Sequence, residues 1–275
     1  MRSVHRFTGP KAFLARAGSF LRAAEVENAL MLGICGSARF DDSCYLATVE
    51  EDGTVVACAL RTPPYSALLT RADRRALESL AADLADKYED LPGVAGPEPA
   101  AGVFARLWAA RSEAAAGPAV RMRVFEASRV VQPPAAAGTF RAATETDLPI
   151  VARWTAAFIE EAGLAEPSDP EDVARERIRE GSLFIWEDAQ LVSMAAWAGR
   201  TGRIVRINYV YTPPEHRGRG YASACVASLT RQLLDEGVAL CCLYTDLANP
   251  TSNKIYQAIG YRRVCDAAEY RLGAG

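Results

Sequence analysis

Apolar residues in the second half of the chain follow two periods. Some runs alternate or are continuously apolar; others repeat every three or four positions. The first is the pattern of strands and the second that of helices. Residues 139–143 (TFRAA) predict a short strand. Residues 146–163 predict a helix with Ile150, Val151, Trp154, Phe158 and Ile159 inward, Thr146 at its start and Gly163 at its end. Residues 168–181 predict another, with Ser168 and Glu171 at capping-box spacing and Pro170 in the first turn. Strands are expected over 182–187, 191–198 and 203–212. A helix over 221–237 aligns Ala222, Val226, Leu229 and Leu233 and stops at Gly237. A buried strand over 238–246 follows. Then come a short helix over 249–260, with Asn249 as N-cap and Pro250 in the first turn, and one or two strands over 261–272.

The first half is expected to be poorer in strands. Residues 14–32 and 74–91 predict helices, the latter with a stripe of Leu77, Leu80, Leu84, Tyr88 and Leu91. Residues 45–60 (YLATVEEDGTVVACAL) predict a hairpin, and 183–198 (LFIWEDAQLVSMAAWA) resemble them: strand, acidic turn, strand. The Pro/Gly-rich stretch 91–102 is taken as an internal loop, and the apolar stretch 29–38 as a core helix or loop. VVQPPAAAGTF (130–140) is the clearest seam. It divides the chain into a domain over 1–131, a linker over 132–137 and a domain over 138–275. Strands interspersed with helices make the class α/β.

Composition narrows the partners. The net charge is -3 over 275 residues, so bulk charge gives nucleic acid no purchase. No apolar run reaches the length of a membrane span. Glu25 and Glu27 stand just before the 29–38 stretch, which also lies too far in to be a leader. The expected location is therefore cytoplasmic, with no membrane or nucleic-acid partner. Seven cysteines, an odd number with no C-x-x-C pair, lie mostly in apolar runs and read as buried thiols. With only two histidines, His5 and His216, no metal site is expected.

One loop carries chemistry. TPPEHRGRGYA (212–222) joins an expected strand to an expected helix. Gly218 and Gly220 let the backbone turn with its amides exposed. The helix N-terminus and the side chains of Arg217 and Arg219 add positive charge. The loop is a seat for phosphate or a polar surface connection. A Walker A loop is excluded, because it needs a lysine that is missing here. A dinucleotide fingerprint fits weakly. GRGYAS (218–223) has serine at its third glycine position, the approach from the strand is too long, and too little chain follows.

RGRGYA (217–222) fits [Q/R]-x-x-G-x-[G/A], and NPTSNKIYQAIGY (249–261) fits N-x-x-[A/S]-x-x-[I/L/F]-Y-x-x-x-G-[F/Y]. In that order and at that distance the two resemble the acyl-CoA loop and the Asn…Tyr helix of the GNAT acyltransferases. The resemblance covers about 138–275. It implies a mixed sheet flanked by helices, beside an N-terminal α/β half that is either a degenerate copy of the same fold or an accessory domain. It implies an N-acetyltransferase moving an acetyl group from acetyl-CoA to a small-molecule or protein amine. Acetyl-CoA would lie in a V-shaped opening between strands 203–212 and 238–246. Val210, Tyr211 and Thr212 would pair with the pantetheine arm, with the Val210 N–H on the thioester carbonyl. Backbone amides of Arg217, Gly218, Arg219, Gly220, Tyr221 and Ala222 would hold the pyrophosphate. Asn249 would touch the pantetheine or adenosine portion, and Asn253 joins the same set. Tyr256 would contact the cofactor and protonate the leaving thiolate.

The sequence departs from the family at one point. Many relatives carry a basic glutamate on the strand before the loop, and Arg206 stands there. Arginine cannot act as a base, nor can Asn208. Glu160, Glu161, Asp246 or a water chain are left for that role. The missing glutamate keeps a second reading open, a non-catalytic acyl-CoA-binding or scaffold protein. His216 is read as a phosphate or surface contact. The first half has neither motif and is not expected to bind CoA.

Overall fold

The computed structural model describes residues 2–37, 40–112, 115–163, 168–201 and 203–273. The chain forms two compact units, residues 1–124 with 264–275, and residues 125–263. In the first, β1 (Arg2–Arg6) leads into α1 (Pro10–Ala23) and α2 (Ala29–Ser37). The hairpin β2 (Tyr45–Glu51) and β3 (Thr54–Arg61) follows, then β4 (Ala67–Leu69), α3 (Arg74–Lys87), β5 (Gly93–Pro97) and α4 (Glu98–Ser112). In the second, β7 (Thr139–Ala142) leads into α5 (Leu148–Glu161) and α6 (Pro170–Arg179). There follow β8 (Leu183–Asp188), β9 (Gln190–Thr201), β10 (Ile204–Tyr211), α7 (Tyr221–Asp235), β11 (Leu240–Asp246) and α8 (Pro250–Ala258). The strands β6 (Ala115–Ala127) and β12 (Arg262–Gly273) carry the chain from one unit to the other.

The order strand, two helices, three strands, helix, strand, helix, strand thus occurs twice, and the pairings repeat with it. β1–β2, β2–β3 and β3–β4 are antiparallel, as are β7–β8, β8–β9 and β9–β10. β4–β5 and β10–β11 are parallel. The two similar hairpins occupy corresponding places. The first turns through Asp52 and Gly53 at φ 49° and 77°, the second through Ala189 at φ 57°, left-handed backbone conformations that let a tight turn follow the right-handed twist of the flanking strands.

β12 does not close the sheet of the unit that precedes it in sequence. Its residues Ala267–Arg271 pair antiparallel with β5, Pro97–Gly93, and so 264–275 belong with the first unit. The expected linker 132–137 lies inside the second unit, between β6 and β7. Phe125 and Ala127, at the end of β6, are buried in that unit's core.

Elsewhere the elements depart from expectation in instructive ways. The helix expected over 14–32 is two helices, α1 and α2. The loop expected over 91–102 is β5 and the first turn of α4. Gly96 explains why β5 was hidden: at φ 158°, a Cβ there would lie 2.7 Å from the Leu69 carbonyl oxygen, so the strand takes glycine where strand propensity argues against it. α5 is preceded by a 3₁₀ turn, Glu145–Asp147, closed by a capping box of Thr144 and Asp147 in place of Thr146. α6 is capped by Asp169, which accepts from the Glu171 N–H, in place of Ser168. Asn249 caps α8 as predicted, accepting from the Ser252 N–H at 3.0 Å.

In the second unit the sheet separates two apolar layers. One holds Val205, Ile207, Leu229, Leu233, Leu243 and Tyr256 with α7. The other holds Val151, Ala174, Ile178, Met194, Tyr209 and Tyr211 with α5 and α6. The seven cysteines are free thiols, and all but Cys44 are buried. Burial alone pushes the Cys35 thiol up to about 12. No described helix is long and apolar enough to cross a membrane. Among the described residues, no cluster of His, Cys, Asp or Glu is arranged to hold a metal ion.

Candidate active site

The site is built where two parallel strands stop pairing. β10 and β11 are in register from Ile204↔Leu240 to Ile207↔Leu243. Both continue beyond that point, to Tyr211 and Asp246, without further paired residues. The separation begins at a bulge in β10. Asn208 pairs with Ala196 and Tyr211 with Met194, so Tyr209 and Val210 oppose the single residue between them. Tyr209 takes φ 47° there. A bulge inserts a residue, turns the strand and interrupts its ladder. Val205 and Ile207 point to the α7 layer, whereas Tyr209 and Tyr211 fall in the α5–α6 layer. Alternation alone would keep Tyr209 with Val205 and Ile207, so the bulge has reversed the facing of the strand's last residues.

α7 follows at the end of β10. Pro214–His216 form a 3₁₀ turn, and Gly218 and Gly220 take φ 76° and 81°. Gly220 is the N-cap and supplies no side chain to the helix amides. The first helical bond runs from the Ala224 N–H to the Gly220 carbonyl at 3.0 Å. The preceding amides, Tyr221 to Ser223, have no place in the helical ladder and carry the positive end of the helix dipole. The space beside both glycines is open: a Cβ on Gly218 meets nothing within 4 Å, and one on Gly220 only the Ala136 methyl at 4.0 Å.

The matching helix of the first unit, α3, is built differently. Its N-cap is Asp73, whose carboxylate accepts from the Ala76 N–H at 2.8 Å and pairs with Arg2. There the helix N-terminus is occupied by the chain's own acid.

The remaining predicted residues divide by placement. The Arg217 Nη2 donates to both Glu161 carboxylate oxygens at 2.9 Å, and its Nε to the Thr212 carbonyl at 2.9 Å. Its guanidinium also lies 5.8 Å from the Tyr211 ring centroid. Glu161, weighed above as a base, is therefore tied to the loop. The Thr212 hydroxyl bonds the Ser193 hydroxyl at 2.8 Å. The Tyr221 hydroxyl donates to Asp188 at 2.6 Å, which raises its pKa. Its side chain is thus engaged, and only its backbone N–H is left for a ligand. Arg219 is exposed and Ala222 partly so. Asp246 accepts from the Ala248 N–H at 2.8 Å and shapes the turn into α8.

Asn253 donates to the Asp246 and Asn249 carbonyls at 2.9 and 2.7 Å, leaving its buried Oδ1 without a partner. Tyr256 projects from α8 between the rings of Phe125 and Tyr261, with centroids 6.4 and 6.0 Å away. Burial raises its pKa. Two groups in this unit escaped the motif reading. Asn208 Oδ1 is buried without a partner, and Arg177 of α6 sits over Tyr209, 4.8 Å from the ring centroid. Arginine on the apolar stripe of Val173, Ala174 and Ile178 was the available signal for the second.

Residues 183–272 match the family model described as FR47-like protein. Among curated proteins no sequence relative matches. Solved structures resemble the chain over nearly its whole length. A GCN5-related N-acetyltransferase from Sphaerobacter thermophilus superposes with a TM-score of 0.67 at 15% identity, covering 99% of this chain and 97% of that one. An acetyltransferase from the GNAT family of Colwellia psychrerythraea gives 0.60 at 11% identity, over 99% and 100%. A tandem GNAT protein from the clavulanic acid biosynthesis pathway gives 0.57 at 14% identity, over 99% and 98%. At such identities the likeness is one of fold, and it extends to the doubled order of elements described above. Residues 183–272 thus match the FR47-like family model, and the chain as a whole has the fold of these GNAT acetyltransferase structures.

Proposed function

We propose that the second unit is an N-acetyltransferase with acetyl-CoA as donor and an amine as acceptor. The observation that carries this reading is the parting of β10 and β11 beyond Ile207 and Leu243, with the bulge on one side and an uncapped helix N-terminus at its end. Ligands of open α/β sheets collect at the carboxyl ends of parallel strands, where such gaps open. Backbone groups of Val210, Tyr211 and Thr212 suit an amide-bearing pantetheine arm. The amides from Arg217 to Ala222 suit a pyrophosphate. The leftover acceptor of Asn253 suits a donor on the same ligand.

When bound, acetyl-CoA supplies a thioester carbonyl that an amine can attack, forming a C–N bond as the C–S bond breaks. The chain's residues act around that exchange. The Val210 N–H, released from the ladder by the bulge, would polarise the carbonyl. Tyr256 would give its hydroxyl proton to the departing sulfur. Burial raises its pKa, so the phenol is protonated at neutral pH and its hydroxyl is there to donate along a hydrogen bond to the sulfur. The proton shed by the amine would leave through water or the exposed Glu160, since Glu161 is held by Arg217 and Asp246 by its turn.

The test is thiol release from acetyl-CoA with an amine panel, paired with melting in the presence of acetyl-CoA. Melting that rises with acetyl-CoA, and thiol release that is lost in Tyr256→Phe, would support the reading. Melting that rises without any thiol release would leave a binding protein. No rise in melting would refute both.

A further inference from the structure

We infer that the amine accepted by this site carries a carboxylate of its own, received by Arg177 and Arg206. This rests on the acyl-transfer reading and names its acceptor. Val205 and Ile207 of β10 lie in the α7 layer, so alternation turns Arg206 and Asn208 to the α5–α6 face. Arg177 reaches that face from the inner side of α6, between Ala174 and Ile178. Its Nη1 donates to the Trp197 carbonyl at 3.1 Å, its guanidinium covers Tyr209, and its Nε is buried without a hydrogen-bond partner. Loss of hydration lowers its pKa and the neighbouring charge of Arg206 lowers it further, while the Tyr209 hydroxyl and the charge of Glu180 act the other way. The ion pairs within α6 are made by Arg175 and Arg179. Among the described residues Arg177 and Arg206 make none.

This face therefore holds two cations without a counter-ion, and one acceptor, Asn208 Oδ1, without a donor. Like charges partly withdrawn from water are unfavourable until an anion joins them. A carboxylate matches the planar fork of a guanidinium. An amine N–H matches the vacant Asn208 oxygen. An amine that also bears a carboxylate satisfies all three groups, with its nitrogen beside the bulge at Tyr209 and Val210. A polyamine, or a lysine on a basic protein surface, would bring more cations to a cationic face.

The experiment measures thiol release from acetyl-CoA with the common α-amino acids, their carboxamides and spermidine as probes. At least one free amino acid should be turned over, with its carboxamide lower in kcat/KM by about tenfold or more. Arg206→Gln should raise KM for that amino acid by a similar factor and leave the melting shift produced by acetyl-CoA unchanged. Arg206 is only partly buried, so this variant should fold. Arg177→Lys keeps the charge but loses the fork, and it should reproduce the rise in KM. Four results would each overturn the inference: no amino acid turned over, equal use of acid and carboxamide, preference for spermidine, or an unaltered KM in Arg206→Gln. If acetyl-CoA fails to shift melting, the acyl-transfer reading falls and takes this one with it. If the shift remains but discrimination is absent, this inference falls alone.

Discussion

Replacing Gly220 separates the backbone cost of the loop from its proposed role as an anion seat. Gly220 is left-handed, with φ 81° and ψ 1°, and caps α7 without a side chain. A Cβ there would lie 4.0 Å from the Ala136 methyl, an ordinary contact. Gly220→Ala therefore meets no clash and costs the left-handed strain alone, about 1–2 kcal/mol. For a chain of this size that lowers Tm by about 2–8 °C. Gly220→Glu bears the same strain. Its carboxylate is favoured at a helix N-terminus by about 0.3–1 kcal/mol, so its Tm should be no lower than that of the alanine variant.

The two variants should part company when acetyl-CoA is added. At a hundred times Kd, a ligand stabilises by about 2.7 kcal/mol, or about 5–10 °C in Tm. Gly220→Ala should keep part of that shift, because the amides of Tyr221 to Ser223 are still open. Gly220→Glu should lose it, because its carboxylate takes the same amides and repels a pyrophosphate. Differential scanning fluorimetry across an acetyl-CoA titration reads all three proteins. A Gly220→Glu protein that keeps the wild-type shift would refute placing the pyrophosphate at this helix end.

Three further outcomes follow from the geometry. Tyr256→Phe removes one hydroxyl from a ring packed between Phe125 and Tyr261. Thiol release should fall by about a hundredfold with Tm nearly unchanged, and a rate within twofold of wild type would remove Tyr256 from the reaction. Glu161→Gln breaks an ion pair with Arg217 whose side chains are 50% and 48% exposed. Its stability cost by urea denaturation should be under about 1 kcal/mol, with catalysis surviving; a collapse in rate would restore Glu161 as the base. Asp147 is held down to about 2, first by Arg141 and also by the Thr144 N–H and hydroxyl. Its folded pKa lies below its unfolded value, so its stabilisation is present above about pH 4 and lost as pH falls toward 2. Asp147→Asn should be about 2 kcal/mol less stable at pH 7 and converge with wild type near pH 2. A constant difference across that range would refute the assignment.

Much of the second unit was legible because its elements are announced locally. Asn249, Pro250 and Gly260 bracket α8 by capping chemistry, and Leu229 and Leu233 mark the inner face of α7. The spacing of RGRGYA and NPTSNKIYQAIGY carried the resemblance. The first unit was less legible, because β5 is a glycine-containing strand whose need for Gly96 comes from the Leu69 carbonyl across the sheet. Splitting of the 14–32 helix was likewise invisible in the sequence, since residues 24–28 between the two parts contain neither glycine nor proline.

Sequence alone determined the doubled hairpin and the glycine turn before α7. These depend on residues near one another in the chain, where dihedral preference and period suffice. Tertiary structure alone decided three other things. It assigned β12 to the first unit, because that strand finds its register against β5. It placed a bulge at Tyr209, because two residues of β10 share one opposite position on β9. It also brought Arg177 to the face of Arg206, from a helix 29 positions earlier in the chain. Each is a relation between distant segments, set by pairing and packing rather than by local preference.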